Sequence, residues 1–254
     1  MPQQIRYDYT DGVARIVLAN PPHNAMTTTM LREIHEHLDP FRDDPDLKLV
    51  VISADGEDFS AGLHPQELQP GTVVEVLTEF NTVAERLQQL MVPSLALVQG
   101  AAFGGGCELA LFCDLVLAED SARFGVTEVQ IGLFAPTAAI ILPQLIGRNR
   151  ALEMLLTGDV ITAEEATRRG LINRVVPAQR FHAEADRLIA RIASHSAAAL
   201  RFNHRAVDEV RLMPFEKAIR HLEDMFLNQA MISEDAREGL EAHVTGRLPR
   251  WKNR

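Results

Sequence analysis

Apolar side chains follow two kinds of spacing in the first 180 residues. The segment Ile5–Thr10 alternates apolar and polar residues and ends at Asp11-Gly12, a pair typical of hairpin turns. Short apolar runs at 13–19, 47–53, 94–98, 115–118 and 171–176 predict further strands, and 124–131 predicts a short extended segment. Helical spacing predicts helices at 27–38, 73–91, 137–145, 149–157 and 162–170. This alternation predicts an α/β fold in which strand–helix units recur without a fixed sequence period.

From about residue 178 the pattern is helical throughout. Helices are predicted at 181–194, 197–212, 214–231 and 233–244. Their apolar side chains need a partner surface, either within this module or on a neighbouring subunit. We therefore predict an α/β region that contains the active site at 1–190 and a separate helical region at 191–254.

Composition narrows the class of protein. Hydrophobic residues make up 46% of the 254 residues and charged residues 24%, which is ordinary for a globular chain. The net charge of −10 argues against nucleic-acid binding. The N-terminus lacks a basic segment followed by an apolar run, and no apolar stretch is long enough to span a bilayer. We expect a cytoplasmic enzyme with no membrane partner.

One stretch combines the end of a predicted strand, three glycines and a mainly apolar segment. The segment 94–98 leads into Gly104-Gly105-Gly106, and the apolar residues that follow contain a single carboxylate, Glu108. Glycines expose backbone N–H groups, and a helix start aims its N–H groups and its positive dipole end at one point. That arrangement suits an oxygen that becomes anionic during a reaction. The local alternative is a tight turn whose glutamate reaches solvent.

Other motifs add less. The turn Phe59-Ser60-Ala61-Gly62-Leu63 is a second glycine turn after an apolar run, and the N–H of Leu63 is its candidate donor. Glu128 is a second candidate carboxylate, although most acidic residues lie on solvated faces. The sequence contains neither a GxSxG elbow nor Rossmann or P-loop glycine patterns, and its histidines lack metal-ligand spacing. We predict no metal site.

These motifs, in this order, resemble the enoyl-CoA hydratase/isomerase (crotonase) superfamily. Residues 59–62 are similar to its first oxyanion-loop motif, and residues 104–109 with Cys113-Asp114 are similar to its second. Residues 152–177 and Glu238-Gly239 also match, so the resemblance covers essentially the whole chain. It implies a crotonase-like spiral of ββα units with a C-terminal helical trimerisation module. It also implies a homotrimer or homohexamer.

The resemblance implies an acyl-CoA thioester substrate and no separate cofactor, because coenzyme A is part of the substrate. The thioester oxygen would accept hydrogen bonds from the backbone N–H groups of Leu63 and Gly105. Glu108 would activate water, and Glu128 would protonate the α-carbon. The residues implied to contact coenzyme A are Asn24, Ala25, Ala61, His64 and Arg247.

Departures from the family pattern keep alternatives open. His64 stands where many members have Asp, and Ala135-Pro136-Thr137-Ala138-Ala139 replaces the usual glycine-rich run. Residues 132–136 and the C-terminal end are similar to hydratases of cyclic dienoyl-CoA thioesters. We therefore expect an enoyl-CoA hydratase. The alternatives are a double-bond isomerase, a cyclic dienoyl-CoA hydratase and a non-catalytic acyl-CoA-binding protein.

Overall fold

The structure, a computed structural model, describes residues 3–254 of the chain. Its strands are β1 (Ile5–Thr10), β2 (Val13–Leu18), β3 (Leu49–Ala54), β4 (Ser94–Val98), β5 (Ala101–Phe103), β6 (Leu115–Glu119), β7 (Arg123–Gly125), β8 (Ile161–Thr162) and β9 (Arg174–Val176). Its α-helices are α1 (Thr28–Leu38), α2 (Val73–Gln89), α3 (Gly105–Phe112), α4 (Pro136–Ile146), α5 (Arg148–Thr157), α6 (Ala163–Arg169), α7 (Phe181–Ala193), α8 (Ala197–Val210), α9 (Phe215–Met225) and α10 (Glu234–Thr245). Most elements lie within two residues of their predicted bounds.

The strands divide between two sheets, and this division creates the repeating unit. The larger sheet has the order β1-β2-β3-β4-β6-β9 and is parallel except for the β1–β2 hairpin. The smaller sheet has the order β5-β7-β8. In β4–β5–α3 and again in β6–β7–α4, the first strand joins the larger sheet, the second joins the smaller sheet and a helix follows. The predicted recurrence of ββα units is therefore present.

Both faces of the larger sheet are covered. One face packs in the main core with α1, α2 and α3. On the other face, Val51 and Leu117 pack with Phe181 and Ile189 of α7. The predicted division at residue 190 thus falls inside α7, which packs on the sheet of the α/β region.

The helices after α7 form a module in which several large apolar side chains are exposed. Leu212, Phe215, Val244 and Leu248 are each more than three-quarters exposed. Polar contacts join the module to the α/β region, including those from Arg201 to the carbonyl oxygens of the α1–β3 loop. In residues 3–254 no helix has both the length and the hydropathy that crossing a bilayer requires.

One local prediction needs correction. The segment 124–131 was expected to be extended, but only Phe124 and Gly125 continue strand β7, and residues Glu128–Ile131 form a 3₁₀ turn. Gly132 closes that turn in the left-handed conformation, with φ of +78°. At the start of α6 the Thr162 hydroxyl accepts from the Glu165 N–H, and the Glu165 side chain binds Arg168 and Arg169.

Candidate active site

The first glycine turn is fastened to the smaller sheet and to the loop before α1. The Ser60 N–H donates to the Ala101 carbonyl oxygen, and the Phe103 N–H donates to the Ser60 carbonyl oxygen. The buried Ser60 hydroxyl donates to the Asn24 carbonyl oxygen and accepts from the Gly62 N–H. These bonds fix the backbone that carries the next N–H group, that of Leu63.

The backbone of the second glycine turn packs directly against the backbone of the first. A Cβ atom on Gly62 would lie 2.8 Å from the Phe103 carbonyl oxygen and 3.3 Å from the Gly105 nitrogen. A Cβ atom on Gly106 would lie 2.5 Å from the Ser60 carbonyl oxygen. Only glycine allows the two turns to approach this closely.

The two turns leave a pair of neighbouring N–H groups free. A Cβ atom placed on Gly105 would lie 3.5 Å from the Leu63 nitrogen, so both predicted donors lie at one place. Neither N–H group donates a hydrogen bond to any residue in the described range 3–254. Gly105 is also the first residue of α3, whose dipole adds positive potential there. The pair can stabilise an oxyanion.

Glu108 lies on α3, one turn beyond this pair, and is 4% exposed. Its Oε1 accepts a 2.7 Å hydrogen bond from the Ala138 N–H, in the first turn of α4. Burial raises the pKa of Glu108 to about 7, the N–H of Ala138 opposes that shift, and the charge of Glu128 adds to it. A carboxyl group with a pKa near 7 is suited to proton transfer.

Glu128 begins the 3₁₀ turn after β7 and packs against the second glycine turn. A Cβ atom on Gly104 would lie 2.7 Å from Glu128 Oε1, so that glycine makes room for the carboxyl group. Oε2 of Glu128 is buried and has no hydrogen-bond partner among the described residues. Burial raises the pKa of Glu128.

The structure therefore brings Glu108, Glu128, Leu63 and Gly105 together at one site. The two carboxyl groups influence each other electrostatically, so their titrations are coupled. Next to two unused N–H donors, such a pair can accept one proton and donate another while an oxyanion forms.

The residues predicted to contact coenzyme A are arranged in two groups. Asn24, Ala25 and Ala61 lie beside the first glycine turn. The Asn24 side chain accepts from the Asn20 N–H and donates to the carbonyl oxygens of Asp55 and Asp58. The carbonyl oxygen of Ala25 accepts from the Asn20 side chain, whereas Ala61 is exposed. Their contact with coenzyme A stays a prediction.

The second group is split between two regions. His64 follows the first glycine turn, and its Nδ1 accepts from the Gln66 N–H at 3.3 Å. Arg247 lies beyond α10 and forms a bidentate pair with Glu238. Within residues 3–254, no hydrogen bond or ion pair joins Arg247 to the glycine turns or to either catalytic candidate. A role for Arg247 in binding also stays a prediction.

A groove of about 690 Å³ lies beside the end of α3. Leu111 and Phe112 of α3 line one side of it, and they lie three and four residues after Glu108 and so share its face of the helix. Thr137 and Ile140 of α4 line another side, and α2 and α8 complete it.

Sequence reasoning missed three residues that build the site. Gly104 provides the space for Glu128, Ala138 donates its N–H to Glu108, and Ser60 fastens the first turn. Pro136 at the first turn of a helix was a usable signal, because it places free N–H groups of α4 nearby.

Known proteins that are similar to this chain indicate its family. The family model for enoyl-CoA hydratase/isomerase matches residues 8–254. Enoyl-CoA hydratase domain-containing protein 3 of Rattus norvegicus, a mitochondrial protein, is 34% identical over 96% of this chain and 82% of its own length. A probable enoyl-CoA hydratase of Mycobacterium bovis is 32% identical over 94% of each chain.

Solved structures agree in fold. An enoyl-CoA hydratase from Bacillus anthracis superposes with a TM-score of 0.93 at 30% identity, covering 99% of this chain and 100% of its own. The human enoyl-CoA hydratase domain-containing protein 3 gives a TM-score of 0.91 at 31% identity, over 98% and 100% of the two chains. The chain has the crotonase fold and belongs to the enoyl-CoA hydratase/isomerase family.

Proposed function

We propose that this protein is an enoyl-CoA hydratase that adds water across the 2,3 double bond of an acyl-CoA thioester. The observation that carries the proposal is the pair of neighbouring carboxyl groups, the buried Glu108 and the half-buried Glu128, next to two free N–H donors. Hydration needs one group to take a proton from water and another to give one to carbon, and a coupled pair supplies both. The names of the relatives support the same reaction class.

The proposed reaction begins when the thioester oxygen accepts hydrogen bonds from the Leu63 and Gly105 N–H groups. Glu108 removes a proton from water, the water oxygen bonds to the β-carbon, and the π electrons move to the thioester oxygen. The enolate then collapses as Glu128 gives its proton to the α-carbon. The product is a 3-hydroxyacyl-CoA, and the proton gained by Glu108 balances the one lost by Glu128.

The donors around each carboxyl group support this assignment of roles. The Ala138 N–H favours the ionised form of Glu108, which is the form that a base needs. Burial raises the pKa of Glu128 as well, and its buried Oε2 has no hydrogen-bond donor among residues 3–254, which opposes ionisation at that oxygen.

We also propose how the substrate lies. The acyl chain enters the groove lined by Phe112 and Ile140, and coenzyme A lies along the first glycine turn beside Ala61 and His64. Arg247 lies on the C-terminal module, so it would have to contact coenzyme A from a neighbouring subunit. The exposed apolar faces of that module and its apolar cavity of about 810 Å³ support a homotrimer or a hexamer of two trimers.

The decisive experiment is hydration of 2-enoyl-CoA thioesters, linear and cyclic, in water enriched in heavy oxygen. We expect a 3-hydroxyacyl-CoA that carries the label. A 3-enoyl-CoA that becomes a 2-enoyl-CoA without label would instead indicate an isomerase. Tight thioester binding without turnover of any member of the panel would indicate a binding protein and would overturn the proposal. Native mass spectrometry of the intact protein measures the assembly.

A further inference from the structure

A histidine of the C-terminal module contacts a residue just beyond the end of α3. His204 lies on α8, and its Nε2 is 3.0 Å from Oδ1 of Asp114, which follows α3. The other oxygen of Asp114 accepts from the Ser94 N–H and from its hydroxyl, both at 2.7 Å. Ser94 begins β4, the strand that leads to the glycine turn. The cluster therefore joins α8 to the end of α3 and to the start of β4.

His204 lies between two carboxylates. Its side chain is 11% exposed, and its Nδ1 lies 3.4 Å from a carboxylate oxygen of Asp208, one turn further along α8. Within residues 3–254 the buried Nδ1 has no hydrogen-bond partner of good geometry. A neutral imidazole donates from only one nitrogen, whereas an imidazolium donates from both. Carboxylates on both sides therefore favour the charged ring.

We propose that His204 is a positioning residue whose protonation holds the C-terminal module against the end of α3, so that docking of α8 loosens as the ring loses its proton. The inference rests on the proposed function in one respect only, which is that Glu108 of α3 is the base. Asp114 follows Glu108 by six residues, just beyond the end of the same short helix, and His204 lines the groove together with Leu111 and Phe112 of that helix.

The charges that face His204 come from several elements. Asp114 and Asp208 contact the ring, Glu85 of α2 and Arg211 beyond α8 line the same groove, and the buried Cys113 thiol precedes Asp114. The hydrogen bond with Asp114 raises the pKa of His204, although burial opposes that shift. Burial raises the pKa of Asp114, but its hydrogen bonds with His204 and Ser94 lower it overall. Both directions favour an ion pair near neutral pH.

The sign of the pH dependence follows from these shifts. A histidine whose pKa is higher in the folded protein contributes stability that is complete below its unfolded pKa. That stability is lost as the pH rises through the folded pKa. Asp114 stays ionised throughout this range, because its folded pKa is lowered. The contact should therefore weaken on the alkaline side of neutrality.

Hydrogen exchange of the full-length protein, followed from about pH 6 to about pH 9, tests the proposal. After correction for intrinsic exchange rates, we expect the protection of α8 and of the last turn of α3 to fall about tenfold across this range. His204→Lys keeps a positive charge throughout and should abolish the fall. His204→Gln should show low protection at every pH. His182→Gln, an exposed histidine on α7, is the matched control and should behave as the wild type.

The outcomes separate this proposal from the proposed function. The proposed role of His204 would be overturned if protection in the His204→Gln variant changed with pH as it does in the wild type. It would also be overturned if the His204→Lys variant kept the wild-type fall in protection. If hydrogen-exchange protection depended on His204 but the protein had no hydratase activity, the role of His204 would stand and the enzymatic assignment would be rejected. If both hold, the kcat for hydration should fall at alkaline pH in the wild type but less in His204→Lys.

Discussion

The surroundings of Glu108 and Glu128 differ in the way each carboxyl group is held. Glu108 lies on a buried helix and receives the N–H of Ala138 from the start of another helix. Glu128 lies on a short 3₁₀ turn, packs on Gly104 and has a buried oxygen without a donor. The difference means that hydrogen bonding favours the ionised form of Glu108, whereas burial opposes ionisation of both groups and raises the pKa of Glu108 to about 7.

Removing either carboxylate should have the largest effect. Glu108→Gln and Glu128→Gln should each lower the kcat for hydration by roughly 10²–10⁴-fold, because each loses one proton transfer. Steady-state hydration of a 2-enoyl-CoA measures this loss. Glu164→Gln, an exposed carboxylate on α6, is the matched control and should keep full activity. Full activity in either site variant would reject the two-carboxylate mechanism.

The two variants should differ in a second assay, which separates their roles. The α-hydrogen of a saturated acyl-CoA exchanges with heavy water only if a base contacts the α-carbon. Glu128→Gln should therefore lose this exchange, while Glu108→Gln should keep most of it. The reverse result would exchange the two assigned roles without affecting the pair itself.

The next largest loss of activity should follow substitution of Gly104, the glycine that makes room for Glu128. Gly104 has φ of +50°, and an added Cβ atom would meet Glu128 Oε1 at 2.7 Å. Gly104→Ala should displace that carboxyl group and lower kcat by about 10²-fold, since misplacement of about 1 Å can cost that much. Gly147→Ala is the matched control, because Gly147 also has a positive φ but no neighbouring atom within 4 Å. Equal losses in both variants would mean that strain, not displacement, is responsible.

Local sequence patterns mark three of the four residues predicted for the site. Glycine runs at the ends of apolar strands mark Leu63 and Gly105, and a lone carboxylate in an apolar helix marks Glu108. Glu128 has no such local mark, and only the family resemblance made it a candidate.

The supporting contacts were not recoverable, because they join segments far apart in sequence. Gly104 meets Glu128 across 24 positions, and Glu108 meets Ala138 across 30. Alternating apolar residues at 129 and 131 suggested an extended segment, but both side chains are exposed on a 3₁₀ turn. The fold was more predictable than these contacts, because strand and helix spacing is periodic and local.

A smaller effect should follow from narrowing the groove on the Glu108 side. Ile140 lines this groove and is 62% exposed. Ile140→Trp should lower kcat/KM about tenfold for a long-chain 2-enoyl-CoA but leave the four-carbon substrate nearly unchanged, because a filled pocket rejects added methylenes. Ile131→Trp, an equally exposed position on the Glu128 side and outside the groove, should leave the chain-length preference unaltered. A uniform loss for all chain lengths would place the acyl chain elsewhere.

The smallest effect should be a shift of the pH profile, caused by a substitution beside Glu108 but not by one beside Glu128. Because the base must be ionised, kcat/KM should rise with pH through about 7, the pKa of Glu108. Thr137 lowers that pKa, so Thr137→Val should move the acid limb to higher pH and change the optimal rate by less than about threefold. Thr127→Val, next to Glu128, should leave the acid limb in place. An acid limb that moves with Thr127 rather than Thr137 would show that the ionisation seen in kinetics belongs to Glu128, and the contrast between the two carboxyl groups would be reversed.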